Sequence, residues 1–362
     1  MQTHLKAIGM NGAYRLRLAA CEVCGGRRFS LLQASGRIGT PGVYGPLPVR
    51  ACGRCGFVMI NPRYERRFYA EYYRTLYRRV ATGTEAPTAE YLRRQIRRGE
   101  RIRRFIQPFA PTERRMLDIG CSAGATMIPF LRKGWSCAGV DPDGGSVRAG
   151  RQRGLPVRTG SAEGLRFRKG EFTLVLSLGT FEHVYDLGSA MRRCRRVLRE
   201  GGLLLMRTRS HAMWGSPLEY YNHNHTRYFS EKTLRLALLR FGFEPLRFTS
   251  EPLEGIPGAF YALARAARPV PPRELLRRID DGMKDDAVEL GRRLRSYARR
   301  YETKARGFLS LVEACEGNPH RIARAVRSGK SPIAILDGPV GEAVRRTELA
   351  ARLFLARAGE EN

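Results

Sequence analysis

Apolar and polar positions follow two different spacings along the chain, and the spacing changes near residue 111. Beyond that point, short apolar runs such as 116–119, 136–141 and 172–178 alternate with amphipathic segments. The run 172–178 is almost continuously apolar, which is typical of a strand that is covered on both faces. Strands that alternate with helices in this way predict an α/β fold, a parallel sheet with helices on both sides.

The regions on either side of this pattern have different characters. Residues 64–110 are helical in spacing, with Leu92, Ile96, Ile102 and Ile106 close to one face and arginines over much of the rest. A cluster of prolines after residue 268 marks a break, and the residues beyond it are charged and helical. We therefore predict four regions, namely a small N-terminal unit (1–62), a helical lid or linker (63–110), the α/β domain (111–265) and a mostly helical C-terminal region (266–362).

The charge of the chain is strongly positive, with 65 basic against 34 acidic residues and a net charge of +31. A field of this sign favours anionic partners such as nucleic acid, a phosphorylated or nucleotide-linked substrate, or a membrane surface. The alternative is that many arginines lie on solvated helix faces. No apolar run is long enough to cross a bilayer and residues 1–20 lack the pattern of a secretion signal, so we expect a cytoplasmic protein.

A glycine-bearing loop joins the first strand of the α/β region to its first helix, with the pattern Asp118-x-Gly120-x-Ser122-x-Gly124. The loop lacks the third glycine of the dinucleotide fingerprint, and it suits a nucleoside that carries an amino-acid arm. Asp141 ends the next strand about 20 residues later, where a carboxylate can accept both hydroxyls of a ribose. The alternative is a structural turn with helix caps.

The third strand leads to Ser161, Ala162 and Glu163, where a small residue and an acid can flank an adenine ring. Ligands of open α/β sheets bind at the carboxyl ends of the strands. We therefore expect this segment, the glycine loop and Asp141 to face one cleft.

These segments resemble the class I methyltransferases that use S-adenosylmethionine, as do residues 172–184 and 197–206. The resemblance covers residues 111–265 and implies S-adenosylmethionine as cofactor and a Rossmann-like, doubly wound sheet of seven strands, the last of them antiparallel. It also implies that Asp141 holds the ribose and that the loop lies against the methionine arm. The cofactor-binding residues that we predict are Asp118, Gly120, Cys121, Ser122, Gly124, Asp141, Pro142, Ser161, Ala162, Glu163, Leu178 and Tyr73.

Two cysteine pairs, Cys21-x-x-Cys24 and Cys52-x-x-Cys55, lie in the N-terminal unit, and each is followed by a glycine turn. Four thiolates with this spacing suit a tetrahedral zinc ion, and four protein ligands leave no open position for chemistry. We therefore predict a structural zinc site. The alternatives are an iron centre and a redox dithiol.

The residues that follow extend the resemblance to bacterial methyltransferases that modify sugars, including C-methyltransferases of deoxysugar nucleotides. The matching pieces are a Cys-Gly-Phe-Val-x-x-Asn-Pro-Arg stretch from Cys55 and the Glu71-Tyr72-Tyr73 segment. The resemblance implies that a tyrosine-bearing helix covers the cofactor, with Tyr72, Tyr73 and Tyr77 as candidates. The alternative for these tyrosines is an aromatic core face.

Acid–base candidates follow the fourth and fifth strands. Glu182 and His183 come directly after the fourth strand, and Asn224 and His225 lie in a polar segment after the fifth. Histidine exchanges protons near neutral pH, so we predict that His183 and His225 act as acid, base or orienting groups, with Asn224 and Glu182 beside them. The alternative is a pair of hydrogen-bonded structural histidines.

The match to the sugar C-methyltransferases ends at this segment, because their motif has tyrosine and glutamate where this chain has Asn222 and Asn224. An amide cannot serve as a base, so O- or N-methylation is favoured over C-methylation. The predicted function is methylation of a small molecule, either a sugar, nucleotide sugar or glycan precursor, or another anionic acceptor. The alternatives are an RNA methyltransferase that binds through its basic surface and zinc unit, and a binding protein without activity. No pattern in the sequence indicates an oligomeric state.

Overall fold

The computed structural model describes residues 3–6, 8–38, 44–77, 87–210, 221–250, 259–280, 282–294 and 296. The predicted C-terminal helical region therefore lies outside the described residues from 297 onward. Within the described ranges no helix combines the length and apolar character that a membrane span requires.

A seven-stranded sheet forms the centre of the α/β domain. Its strands are β6 (Arg115–Ile119), β7 (Ser136–Asp141), β8 (Val157–Thr159), β9 (Phe172–Leu178), β10 (Leu198–Arg209), β12 (Phe243–Thr249) and β13 (Ala259–Ala266). The order across the sheet is β12-β13-β10-β9-β6-β7-β8. The neighbours from β10 to β8 pair in parallel, whereas β13 is antiparallel to both β10 and β12. The predicted α/β fold with an antiparallel last strand is confirmed.

The apolar run over residues 172–178 occupies the middle of this sheet as β9, and all seven of its side chains are buried. It pairs with β6 on one side and β10 on the other. A strand in this position has no solvent face, which explains its continuous apolar pattern. Because β6, β7, β9 and β10 are parallel, their carboxyl ends meet at one edge of the sheet.

Helices lie on both faces of the sheet, in the positions that the apolar spacing predicts. They are α3 (Ala89–Ile106), α4 (Ile128–Leu131), α5 (Gly144–Arg151), α6 (Leu187–Val197), α7 (Glu231–Arg240) and, after the last strand, α8 (Pro272–Arg277). Side-chain caps mark several of the starts: Thr88 accepts from Tyr91 N, and Ser230 forms a capping box with Thr233. The helix predicted after the glycine loop is shorter than expected, because a 3₁₀ turn (Ala125–Met127) takes its first residues.

A second sheet contains the N-terminal unit. Its strands are β2 (Phe29–Arg37), β3 (Tyr44–Cys52) and β4 (Val58–Ile60), which pair in that order, and β11 (Arg227–Tyr228), which pairs with β4. Two further short strands, β1 (Leu16–Arg17) and β5 (Arg63–Tyr64), pair with each other, and the helices of this part are α1 (Thr3–Lys6) and α2 (Arg66–Thr75). Since β11 comes from the segment that follows β10, the N-terminal unit and the α/β region share one sheet. The region boundaries drawn from the sequence remain predictions.

Gly99 in the middle of α3 allows this helix to lie directly on the turn that follows the glycine loop. A Cβ atom at position 99 would be 2.2 Å from the backbone oxygen of Thr126. Ile102 and Ile106, on the same helix, are buried among Met116, Met127 and Phe130 of the sheet side. The helix therefore docks against the loop edge of the sheet as well as against its face.

The close approach at Gly99 predicts the effect of one added methyl group. Helix propensity alone would make Gly99→Ala stabilising by about 1 kcal/mol, but the clash with a backbone oxygen should lower the free energy of unfolding by about 1–3 kcal/mol. Urea unfolding measures the difference. Gly144→Ala, at the start of α5, is the matched control because its Cβ would meet nothing within 4 Å. Equal or higher stability of Gly99→Ala would show that α3 does not pack in this way.

Candidate functional site

A cavity of about 560 Å³ opens at the carboxyl ends of the parallel strands. This volume is in the range of small-molecule and cofactor sites. Nine of the predicted site residues line it: Gly120, Ser122, Asp141, Pro142, Leu178, Tyr73, Glu182, His183 and His225. The structure therefore brings the predicted cofactor loop and the predicted acid–base residues to the same wall.

The glycine loop is pressed against the end of β9. Gly120 has a φ of 77°, in the left-handed region. A Cβ on this residue would lie 2.1 Å from Oγ1 of Thr180. That hydroxyl donates to the carbonyl of Ile119 at 2.8 Å. Only glycine fits here, and its backbone consequently forms part of the open cavity wall.

Asp141 is held in place by backbone donors at the end of β7. Its Oδ2 accepts from Ser122 N at 2.7 Å, and its Oδ1 accepts from Asp143 N at 2.9 Å. A carboxylate oxygen can accept more than one hydrogen bond. The carboxylate is therefore held at the cavity wall by backbone donors.

Three predicted cofactor residues lie behind the loop, outside the cavity wall. Asp118 is 1% exposed and Cys121 is 3% exposed. The Cys121 sulfur packs over Gly139, where a Cβ would lie 2.6 Å from it. Gly124, which has a φ of 79°, faces Val157. Burial raises the pKa of the Cys121 thiol well above its usual range, so it packs as a neutral group.

Ser161, Ala162 and Glu163 line an adjacent cavity of about 390 Å³, which shares Tyr73, Gly120 and His183 with the first. The Glu163 carboxylate accepts from the backbone N–H groups of Tyr185 at 3.0 Å and of Asp186 at 3.1 Å. It therefore ties the end of β8 to the loop before α6, beside the small residues that were predicted to flank an adenine.

His183 has one ring nitrogen fixed by the backbone. Its Nδ1 lies 3.1 Å from the carbonyl oxygen of Asn224 and 2.8 Å from the hydroxyl of Tyr73. A carbonyl can only accept, so Nδ1 carries the proton and the lone pair lies on Nε2. Burial raises the pKa of Tyr73 well above its usual range, which keeps its hydroxyl protonated and donating to the same carbonyl at 3.2 Å.

His225 is held in the opposite tautomer by Asn222. The amide oxygen of Asn222 accepts from His225 N at 3.2 Å, so its nitrogen faces the ring and donates to Nδ1 at 3.1 Å. The ring proton of His225 is therefore on Nε2. The two imidazoles lie 4.5 Å apart between ring centres. One of them offers a lone pair and the other offers a proton.

The ligand atoms of Glu182, His183 and His225 lie within 4.8 Å of one another, close enough to hold a divalent ion. The proton on Nε2 of His225 makes this ring a hydrogen-bond donor rather than a metal ligand. We therefore interpret the group as an acid–base pair beside a buried carboxylate.

Sequence reasoning missed the basic lining of the cavity. Four arginines contribute to the wall together with Asp141, Asp143 and Glu182; they are Arg94, Arg98, Arg207 and Arg209. Arg98 donates to Oγ1 of Thr126 at 2.9 Å, and Arg207 donates to the carbonyl of Leu178 at 2.9 Å. For the arginines of residues 64–110 the sequence leaves open a solvated helix face or a basic binding surface, and only the docking of α3 on the loop places Arg94 and Arg98 at the cavity.

Tyr72 and Tyr73 on α2, and Tyr77 just beyond its end, divide between the two alternatives. Tyr72 is 1% exposed and its ring lies 4.4 Å from that of His223 and 6.2 Å from that of Phe68, as in an aromatic core. Tyr73 and Tyr77 instead line the cavity, with ring centres 6.0 Å and 5.8 Å from that of His183. Tyr72 is therefore a core residue, whereas Tyr73 and Tyr77 line the cavity.

The four cysteines of the N-terminal unit converge into one buried cluster. Their sulfurs lie within 4.8 Å of one another, with Cys21 to Cys55 and Cys24 to Cys52 both at 3.6 Å. Four thiolates around a tetrahedral zinc ion, each about 2.3 Å from it, are about 3.8 Å apart. The N–H groups of Gly26 and Arg54 point at Cys24 and Cys52 at 3.4 Å and 3.5 Å. Such donors stabilise thiolates, so the geometry fits the ion.

Comparison with known proteins finds similarity in the central region of the chain. A family model described as a methyltransferase domain matches residues 89–247. Ubiquinone biosynthesis O-methyltransferase from Bradyrhizobium sp. (strain ORS 278) is 38% identical over 100 residues, which are 26% of this chain and 39% of that protein. The protein of the same name from Rhodopseudomonas palustris (strain BisB18) is 35% identical with the same coverage. The match thus spans about two fifths of the length of these relatives.

Among solved structures, the chain is similar to 1,6-didemethyltoxoflavin-N1-methyltransferase from Burkholderia thailandensis, which holds 1,6-didemethyltoxoflavin and S-adenosylhomocysteine. It is 22% identical to this chain, and the alignment covers 48% of this chain and 79% of that one with a TM-score of 0.39.

The two histidines generate a prediction about pH. Burial, with Arg207 nearby, lowers the pKa of His183 to about 3, and burial, with His183 nearby, lowers that of His225 well below its usual range. Both rings should therefore stay neutral between pH 5 and 8 in NMR titrations. The unfolded chain binds these protons below about pH 6.5, so stability should fall as the pH drops below that value, by at most about 1.4 kcal/mol per unit for each histidine.

Urea unfolding at pH 7 and pH 5 measures this slope, and His183→Gln should make it shallower. An NMR titration midpoint for His183 near 6.5 would contradict the buried, neutral ring.

Proposed function

We propose that the protein transfers the methyl group of S-adenosylmethionine to an oxygen atom of a small, negatively charged molecule. The match of a methyltransferase-domain model to residues 89–247 supports this proposal. The observation that carries this proposal is the meeting of Gly120, Asp141 and the imidazole of His183 in one cavity. The matched relatives are named as O-methyltransferases, which agrees with an oxygen acceptor.

The residues present fit the cofactor. Asp141 would accept hydrogen bonds from the ribose hydroxyls. Gly120 has no side chain, so its backbone would let the methionine arm approach closely. Ser161 and Ala162 line the neighbouring space and leave room for an adenine. When bound, S-adenosylmethionine supplies an electrophilic methyl group on a sulfonium centre.

His183 then removes the proton of the acceptor hydroxyl. Its Nε2 lone pair receives that proton, and the carbonyl of Asn224 at 3.1 Å from Nδ1 stabilises the imidazolium that forms. His225 donates its Nε2 proton to the acceptor oxygen and orients it. A base with a pKa of about 3 is weak, so it serves an acidic hydroxyl best, or one whose proton leaves as the methyl group arrives.

The four cavity arginines favour an acceptor with a carboxylate or phosphate group, because a guanidinium matches either anion with two parallel hydrogen bonds. A nucleotide sugar, which the sequence resemblance favours, meets this requirement, and so does a phenolic acid. A short RNA also carries phosphates, but small-molecule acceptors suit a cavity of this size.

A transfer assay with S-adenosylmethionine labelled in the methyl group tests the proposal. Phenolic acids, nucleotide sugars, neutral sugars and RNA are supplied as acceptors in parallel. We expect alkali-stable label on an anionic small molecule, and His183→Gln should reduce the turnover by at least about 100-fold. Label on RNA alone, or on a carbon atom, would contradict the proposal.

Cofactor binding gives a separate prediction. Calorimetry should detect S-adenosylmethionine binding, and Asp141→Ala should weaken it by about 10-fold or more, because the ribose hydroxyls lose a charged acceptor. Glu113→Gln is the matched control, since this carboxylate forms a surface ion pair with Arg199. An unchanged dissociation constant for Asp141→Ala would remove Asp141 from the site.

We also propose that the cysteine cluster holds one structural zinc ion. Its four ligands are all protein thiolates and all buried, so the ion would staple β3 to the N-terminal turn without taking part in methyl transfer. Metal analysis of the purified protein should find one zinc per chain.

Cys52→Ser should lose the zinc and lower the melting temperature, because it removes a soft ligand from a site without a spare one. Cys194→Ser, a buried thiol on α6 outside the cluster, is the control and should retain the metal. Full zinc content in Cys52→Ser, or iron in place of zinc, would refute this assignment.

A further inference from the structure

Arg227 is the largest side chain in the described core that is fully buried, with no exposed surface. It lies on β11, the short strand through which the α/β region joins the N-terminal sheet. A buried guanidinium is costly unless every donor finds an acceptor. The acceptors of Arg227 are on two different parts of the chain.

One edge of the guanidinium faces Glu22, the first of the two residues between Cys21 and Cys24. Nε and Nη2 of Arg227 donate to the two carboxylate oxygens, both at 2.8 Å, which is a bidentate pair. Arg63 donates to the same carboxylate at 3.1 Å. The Glu22 carboxylate is therefore held between two guanidinium groups.

The other edge faces the loop that carries Glu182 and His183. Nη1 of Arg227 donates to the carbonyl of Phe181 at 2.9 Å and to that of Val184 at 2.6 Å. These two carbonyls bracket the pair of site residues. The preceding residue, Thr226, donates from its backbone N–H to the carbonyl of Glu182 at 2.9 Å. Positions 226 and 227 thus hold three carbonyls of a four-residue loop.

The cysteine turn is itself tied to the α/β domain from a second side. Nη1 of Arg240, on α7, donates to the backbone carbonyls of Glu22 at 3.1 Å and of Val23 at 2.8 Å. Glu22 can therefore change its position only if the turn that presents Cys21 and Cys24 also moves.

We propose that Arg227 is a positioning residue for His183, and that Glu22, presented by the cysteine turn, sets the orientation of Arg227. The cysteine unit then holds the loop that carries Glu182 and His183 in position, in addition to stabilising the N-terminal unit. This inference rests on the proposed function for the role of His183. A displacement of about 1 Å at a catalytic group can cost about 100-fold in rate. Loss of the contact between Arg227 and Glu22 should therefore slow the turnover.

Two variants test the connection from its two ends. Arg227→Lys keeps the charge but loses the fork that reaches both Glu22 and the loop. Glu22→Gln keeps the size and removes the anion. Arg63→Lys is the matched control, because Arg63 also donates to Glu22 but, within the described residues, packs on the Tyr185 ring and forms no hydrogen bond to residues 181–184.

The first readout requires no methyl transfer. The backbone N–H groups of His183 and Val184 both donate to the carbonyl of Thr180. Their hydrogen exchange should become about 10-fold faster or more in Arg227→Lys and Glu22→Gln. Exchange within β9 and the zinc content should not change. Nitrogen NMR should show His183 losing its single Nδ1–H tautomer. The kinetic readout is a fall in turnover of about 10- to 100-fold, with the dissociation constant of S-adenosylmethionine within about 2-fold of its original value.

The outcomes separate this inference from the proposed function. Suppose that exchange in the loop becomes faster in the variants while the unmodified protein transfers no methyl group. This result would confirm that Arg227 and Glu22 hold the loop, and it would refute the proposed methyl transfer. If hydrogen exchange and the His183 tautomer are unchanged in both variants, Arg227 and Glu22 do not position His183. If Arg227→Lys fails to fold, Glu22→Gln decides; global unfolding of both variants would make the pair a stabilising element only, and that would also overturn the positioning role.

Discussion

A buried ion pair connects the N-terminal cysteine unit of this protein to its α/β region. Arg227 has no exposed surface, and Glu22, its bidentate partner, lies inside the first cysteine turn. Removing one partner of such a pair leaves an uncompensated charge and costs about 3–5 kcal/mol, so the two sequence regions must stay docked. The pairing of β11 with β4 gives this docking a backbone component as well. The N-terminal unit and the α/β region are consequently one structural unit at the site, although they are far apart in sequence.

The electrostatics of the cavity follow from the same arrangement. The loop held by Arg227 carries His183, and His225 lies two residues before Arg227; burial and nearby charges lower the pKa of both imidazoles. The Asn224 carbonyl and the Asn222 amide then assign the ring protons to opposite nitrogens. In the proposed function, this arrangement offers an anionic acceptor a neutral base beside a neutral donor. Asn222 and Asn224 thus contribute through hydrogen bonds that fix the tautomers.

Much of the fold could be predicted from periodicity, because parallel strands that are buried on both faces need continuous apolar runs and their helices need a 3.6-residue spacing. The strands at 136–141 and 172–178 have the predicted bounds. Strand β10, Leu198–Arg209, is longer than its apolar centre, because pairing with β9 and β13 extends it. The 3₁₀ turn after Gly124 has no counterpart in the apolar spacing.

The sequence by itself determined the cofactor loop, the position of Asp141 and the two cysteine pairs, because each of these depends on residues that are near one another along the chain or on the rule that parallel strands end at one edge. Only the tertiary structure decided what surrounds them. It placed Arg94 and Arg98 in the cavity wall, divided Tyr72 from Tyr73 and Tyr77 between core and cavity, and joined Glu22 to Arg227. The last of these contacts joins residues about 200 positions apart. No local spacing encodes such contacts, because they result from the docking of α3 and of the N-terminal unit on the α/β region.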